Sequence, residues 1–275
     1  MTASETTAKP PLWSADAGFW LCLSILGGSY VVLIVAMLIA DLFFTSPNDL
    51  IEALKSPEIK YAIMLSLLSC SMTTLLSLWV GVPMGYLLAR TQFWGKTAVD
   101  TLLDIPIVLP PLVIGLSLLI LFRTWPGRWF EEHILTVTYE IPCVVLAQFS
   151  VAAAVAVRTM RVTFEQIPPR TEQVALTLGC TRAQAFWRVA LPEARRGLLT
   201  AATLSWARSL GEFGPILIFS GATRMRTEVL STTVFLELSV GKIEAAIAVS
   251  LLMIAAAVMV LILTRTLGLR GTGLV

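Results

Sequence analysis

Arg208 and Glu212 are the residues of this 275-residue chain whose types and spacing most invite a chemical role. Opposite charges four apart on a helix share one face and can pair. Both sit deep in an apolar run, and apart from Asp41, near the end of another run, no other charge does. A charge at the bilayer centre costs about 2.5–3.5 kcal/mol, so both side chains are expected to face protein rather than lipid. Two uses remain open. The pair can lock its helix to a neighbour, or it can form part of a pathway wall or gate, with Gly211, Gly214 and Pro215 permitting the backbone to unwind. A permanent anion site fits less well, because the carboxylate would cancel the field of the guanidinium.

Other chemistry is sparse. Cys22, Cys70, Cys143 and Cys180 are scattered, with no C-x-x-C pair, and His133 joins no Cys/His cluster, so the cysteines read as structural thiols and no metal site is expected. Neither a Walker G-x-x-x-x-G-K-[ST] nor a G-x-S-x-G occurs. The chain is therefore expected to carry no cofactor and no ATPase of its own. A formal charge of +2, with the basic residues at the ends of apolar runs, does not point to nucleic acid.

The elements that position these residues follow from composition. With 56% hydrophobic and 14% charged residues and a mean hydropathy of +0.81, the solvent of this chain is a bilayer. A span needs about twenty apolar residues, and the runs 18–44, 61–89, 105–122, 141–157, 198–220 and 243–264 qualify, the fourth being the shortest. Runs of this length predict helices, each satisfying its own backbone. The first run is too long for a signal core and reads as a retained anchor. Pro106, Pro110 and Pro111 either break the third run beside a cavity or kink it against neighbouring helices. Gly81 and Gly85 form a small-xxx-small helix contact. Lys and Arg favour the loops that share a side with both termini, which places those termini and the polar segment 172–197 in the cytoplasm. Arg224 and Arg226 then lie outside, where they are either merely solvated, as exposed arginines more often are, or help seat an external protein.

Segment 172–197 is the most structured polar stretch. Pro168 and Pro169 end the preceding helix, and Thr171 begins a new one with Val174, Ala175 and Leu178 on one face. Gly179 stops it. Thr181 and Gln184 form a capping box that opens a second short helix presenting Ala185, Phe186 and Val189, which Pro192 closes. The unit is a helix-turn-helix sized to fill a groove in another protein.

Glu172-Gln173-Val174-Ala175, Leu178-Gly179, Phe186, Val189 and Leu191-Pro192 resemble the EAA coupling loop of bacterial ABC importer permeases of the type I class, a similarity that extends over about 61–264. The usual Glu-Ala-Ala is altered, so that the acidic position is Glu172 or is replaced by Gln173, according to register. Leu102-Leu-Asp-Ile-Pro106-Ile-Val-Leu-Pro110-Pro111 and the stretch 207–214, with Arg208, Gly211, Glu212 and Gly214, are similar to the branch that imports molybdate, tungstate or sulfate. The resemblance implies an all-α membrane protein of about six transmembrane helices with a cytoplasmic helix-turn-helix coupling loop at 159–197. It further implies a permease domain at 61–264, to which run length and the Lys/Arg bias add an expected cytoplasmic tail at 1–17, a first transmembrane helix at 18–44 and a cytoplasmic tail at 265–275. The expected partners are an ATP-binding cassette subunit that hydrolyses the ATP, an extracytoplasmic oxyanion-binding protein, a second permease copy and the lipid of the cell inner membrane. Molybdate is the expected cargo, ahead of tungstate and sulfate. An intramembrane enzyme is the weaker alternative, since Arg208, Glu212 and Asp41 supply no nucleophile with its base. A non-transporting scaffold would use the docking segment equally well.

Overall fold

The computed structural model describes residues 17–270, so the expected tail at 1–17 lies, but for Ala17, outside the described residues, as do residues 271–275. The described residues divide into two units. One holds α1 (Ala17–Phe44), apolar on every side with Asp41 as its single charge. The other begins at Pro47. It runs α2 (Pro47–Lys55), α3 (Pro57–Arg90), α4 (Lys96–Val108), α5 (Pro111–Arg123), α6 (Trp125–His133) and α7 (Ile141–Gln166). Next come α8 (Pro169–Thr177), α9 (Arg182–Ala185), a π-helical turn (Phe186–Ala190), α10 (Leu191–Glu193), α11 (Arg195–Leu210), α12 (Gly214–Ser220), α13 (Leu230–Ser239) and α14 (Ile243–Arg270). No strand occurs among the described residues.

Four described helices, α1, α3, α7 and the Ile243–Thr264 part of α14, are long and apolar enough to cross a bilayer. The weakest run, 141–157, belongs to one of them, because α7 continues to Gln166. The third run is broken. Its halves α4 and α5 meet at 113°, since Pro110 and Pro111 both lack the N–H a continuous helix would need there. The fifth run, 198–220, corrects the expectation of a continuous span. It stops at Leu210 and restarts at Gly214, because Pro215 lacks an N–H and its ring clashes with the carbonyl four residues back, at Gly211.

α3 and α7 form the axis of the bundle, and α11 packs against both. Gly81 and Gly85 permit it: a Cβ on Gly81 would lie 2.8 Å from the Ala156 Cβ, and one on Gly85 would lie 2.7 Å from the Met160 Cβ. The two broken runs cross at their prolines. A Cβ on Gly115 would stand 2.8 Å from the Pro215 Cα, and one on Gly214 would stand 2.9 Å from the Pro111 Cβ.

Candidate functional site

The helix-turn-helix is built by local caps. α8 starts at Pro169, two residues before the expected Thr171, because proline suits a first turn whose N–H groups have no intrahelical partner. At its other end Gly179 takes φ +90°, the Cys180 N–H donates to the Ala175 carbonyl at 3.0 Å, and the Gly179 N–H donates to that of Leu176 at 3.0 Å, the Schellman pattern. Thr181 then opens α9 as expected: its N–H donates to Gln184 Oε1 at 2.9 Å, and the Gln184 N–H donates to Thr181 Oγ1 at 3.3 Å. Pro192 does not close the second helix. It lies in α10, after a π-helical turn, and the chain runs on almost without interruption into α11, the wider turn relieving the clash of its ring.

Side chains of this unit divide into an inner and an outer set. Glu172 is buried and accepts from the Tyr86 hydroxyl at 2.6 Å and from Arg90 Nε at 2.8 Å, both at the end of α3. Arg90 also donates to the Ile167 carbonyl at 2.9 Å. Phe186 packs edge-on against Tyr86, with ring centroids 4.7 Å apart, and Ala175 and Ala185 are buried. Val189 and Leu191 are half-buried. The expected ridge of Ala185, Phe186 and Val189 thus faces the bundle. The outer surface carries Gln173, Val174, Leu178, Gly179, Trp187 and Pro192, with Leu178 80% exposed. Trp187 was legible only as an aromatic residue on a polar segment; Tyr86 and Arg90 gave no signal, being more than eighty residues away from Glu172.

Arg208 and Glu212 meet at the end of α11, with a guanidinium nitrogen 2.8 Å from a carboxylate oxygen but not aligned as a hydrogen bond. The two partners differ sharply: the side chain of Glu212 is 1% exposed and that of Arg208 40%. Gly211 and Gly214 are not equivalent either. Gly211 caps α11 at φ −83°, with nothing nearer than 3.8 Å to an added Cβ, whereas Gly214 is fixed by its approach to Pro111. The two candidate regions are separate, joined by the 16 residues of α11, a rod about 24 Å long at 1.5 Å per residue.

Residues 81–270 match the family described as binding-protein-dependent transport system inner membrane component. The chain belongs to that family. It is 34% identical over 218 residues to the sulfate transport system permease protein CysT of Escherichia coli, covering 78% of this chain and 79% of that one. It is 35% identical over 194 residues to the molybdate/tungstate transport system permease protein WtpB of Thermococcus kodakarensis, covering 70% and 74%. It is 34% identical over 209 residues to the molybdenum transport system permease protein ModB of Mycobacterium tuberculosis, covering 75% and 79%. In fold it is similar to a chain of a bacterial alginate ABC transporter, at TM-score 0.76 and 16% identity, covering 95% of this chain and 98% of that one. A chain of the MetNI methionine ABC transporter gives 0.63 at 17% identity, covering 78% and 96%.

Two further groups of charges in this permease are engaged internally. Arg158 pairs with Asp104, and Arg161 with Asp100 and Glu165, tying α4 to α7. Arg224, expected to be available to an external protein, pairs with Glu237 at 2.7 Å, and Arg226 pairs with Glu140 while its carbonyl accepts the Tyr61 hydroxyl at 2.9 Å. Glu228, near Arg224 and Glu237, is fully buried, which pushes its carboxyl above the ordinary range.

Proposed function

We propose that this permease is the membrane subunit of an ATP-driven importer for a tetrahedral oxyanion, molybdate ahead of tungstate and sulfate, working by alternating access. The observation that carries the substrate class is the naming of the relatives given above: at 34–35% identity, they are permease proteins named for sulfate, molybdate/tungstate and molybdenum transport systems. Sulfate is the second reading, favoured by the 34% identity to the Escherichia coli protein. Two copies would enclose the pathway, since one bundle this small encloses little space. ATP-binding cassette subunits would dock on the cytoplasmic side at 169–193, against Gln173, Val174, Leu178, Gly179 and Trp187. Glu172, Ala175, Phe186, Val189, Leu191 and Pro192 would hold the unit in shape, and both termini would lie on the same side. An extracytoplasmic oxyanion-binding protein would deliver the cargo.

The clamp of Glu172 on Tyr86 and Arg90 supports a mechanical reading. Nucleotide-dependent closure of the ATPase would move α8 and α3 together, and α11 would carry the motion to Arg208 and Glu212 as a gate element. Binding favours the state it fits better, and that difference drives the two faces in opposition. The test is uptake by the complete importer reconstituted in vesicles, with molybdate, tungstate and sulfate offered singly and in competition. Saturable, ATP-dependent uptake of molybdate that tungstate blocks and sulfate blocks weakly is expected; uptake of none of the three refutes the assignment.

A further inference from the structure

Ending α11 inside an apolar run leaves its last carbonyls without intrahelical donors, and at membrane depth such groups need partners from the protein. Other helices supply them. Gln148 of α7, buried, donates from Nε2 to the Ser209 carbonyl at 3.2 Å, the same carbonyl that accepts the Glu212 N–H at 3.2 Å. Its Oε1 accepts the Thr73 hydroxyl of α3 at 3.1 Å, and its Nε2 lies 3.7 Å from Cys70 Sγ. From the other side, the Ser231 hydroxyl of α13 donates to the Glu212 carbonyl at 2.6 Å. One amide therefore joins α3, α7 and the end of α11 at the carbonyl that also accepts the Glu212 N–H.

We propose that Gln148 is the positioning residue that holds the break at Gly211 and so sets where Glu212 meets Arg208. An apolar side chain of similar length would remove the donor that ties the Ser209 carbonyl to α7 and leave it only the Glu212 N–H within the break. Pro215 prevents the segment from winding on as helix, so the strand of residues between α11 and α12 loosens instead and the Glu212 N–H loses its fixed acceptor. The consequence for transport rests on the reading of Arg208 and Glu212 as a gate; the positioning does not.

Hydrogen exchange of the peptide 207–217, followed in the permease assembled with its ATPase subunits in lipid nanodiscs, tests this directly. In Gln148→Met the Glu212 amide is expected to exchange about tenfold faster, the equivalent of one buried hydrogen bond. Thr73→Val, which removes a support of the amide but no contact to α11, is expected to stay within about twofold of wild type on the same scale. Should Gln148→Met fail to assemble, Gln148→Leu, which likewise offers Ser209 no hydrogen, must show the same acceleration. Unchanged exchange, or equal acceleration in Thr73→Val, overturns the proposal. Uptake and ATP turnover measured on the same samples separate the two readings. Faster exchange with ATP consumed per ion unchanged keeps the positioning role and overturns the gate alone, whereas faster exchange with a raised ratio supports both.

Discussion

Glu172 and Glu212 are both nearly inaccessible carboxylates facing an arginine, yet they are held in opposite ways. Glu172 takes aligned hydrogen bonds from Tyr86 and Arg90, and the Arg90 side chain is itself only 12% exposed. Glu212 has Arg208 at ion-pair distance without alignment, and the Arg208 side chain is 40% exposed. A saturated buried pair behaves as a joint: separating it leaves two charges stranded. A pair with one accessible member can open at lower cost, because the guanidinium is already partly outside the packed interior and gives up less packing when it lets go. The helix-turn-helix end is therefore joined to α3 through a closed, hydrogen-bonded pair, whereas the broken-helix region holds an open one.

The largest expected effect is at the joint. Arg90→Leu or Glu172→Leu strands the remaining charge, a loss of about 3–5 kcal/mol in comparable buried pairs, while the double change should recover most of it. Tyr86 then lacks its acceptor, so a residue of about 1 kcal/mol should remain. Reversible unfolding in detergent measures all three variants. Single variants losing under about 1 kcal/mol would place this pair with the ordinary exposed ones and erase the contrast with Glu212.

The second pair should respond asymmetrically. Arg208→Leu leaves a buried carboxylate alone and is expected to approach the lower end of the same range, about 3 kcal/mol, whereas Glu212→Leu leaves an arginine whose side chain is 40% exposed and should cost less. The double variant should be close to wild type in stability but should fail to couple ATP turnover to uptake. Normal transport by the double variant would reduce the pair to packing.

The outer surface of the helix-turn-helix separates holding from docking. Leu178→Asp should change stability by no more than about 0.5 kcal/mol, as an exposed substitution does, and weaken association with the ATPase subunit about tenfold. Phe186→Asp should do the reverse first, unfolding the unit by placing a carboxylate against Tyr86 and Phe164. If Leu178→Asp binds the ATPase as well as wild type does, the exposed apolar face is not the docking surface.

What the sequence disclosed tracks how far each interaction reaches along the chain. The Gly179 stop and the Thr181–Gln184 box involve residues within five positions, and both were legible. The inward turn of Phe186 and Glu172 was not, because it is decided by Tyr86 and Arg90 on another helix. Hydropathy carried 198–220 as one span, since it scores side chains and not backbone donors; Pro215 was the signal that the backbone could not comply. The π-helical turn before Pro192 had no sequence signal apart from the proline itself. Arg208 and Glu212 were placed on one face by spacing alone, but their unequal exposure is a property of how α11 packs.

Small backbone effects discriminate the glycines of the two regions. Gly179 sits at φ +90° with nothing within 4 Å of an added Cβ, so Gly179→Ala meets no neighbour, and its cost is that of forcing a left-handed backbone on an L residue, about 1–2 kcal/mol. Gly211 lies at φ −83°, a conformation any residue adopts, and its nearest added-Cβ contacts are at 3.8 Å. Gly211→Ala should therefore be neutral or stabilise by about 0.4–1 kcal/mol through the unfolded chain. Paired thermal unfolding of the two variants reads the difference, and uptake adds the functional half. If the break at Gly211 must flex during transport, Gly211→Ala will slow uptake while leaving the protein as stable as wild type or more so. Gly179→Ala will lower stability and uptake in proportion. Wild-type uptake in Gly211→Ala would mean that the hinge lies elsewhere in 211–213, in the geometry that Pro215 and Gly214 impose.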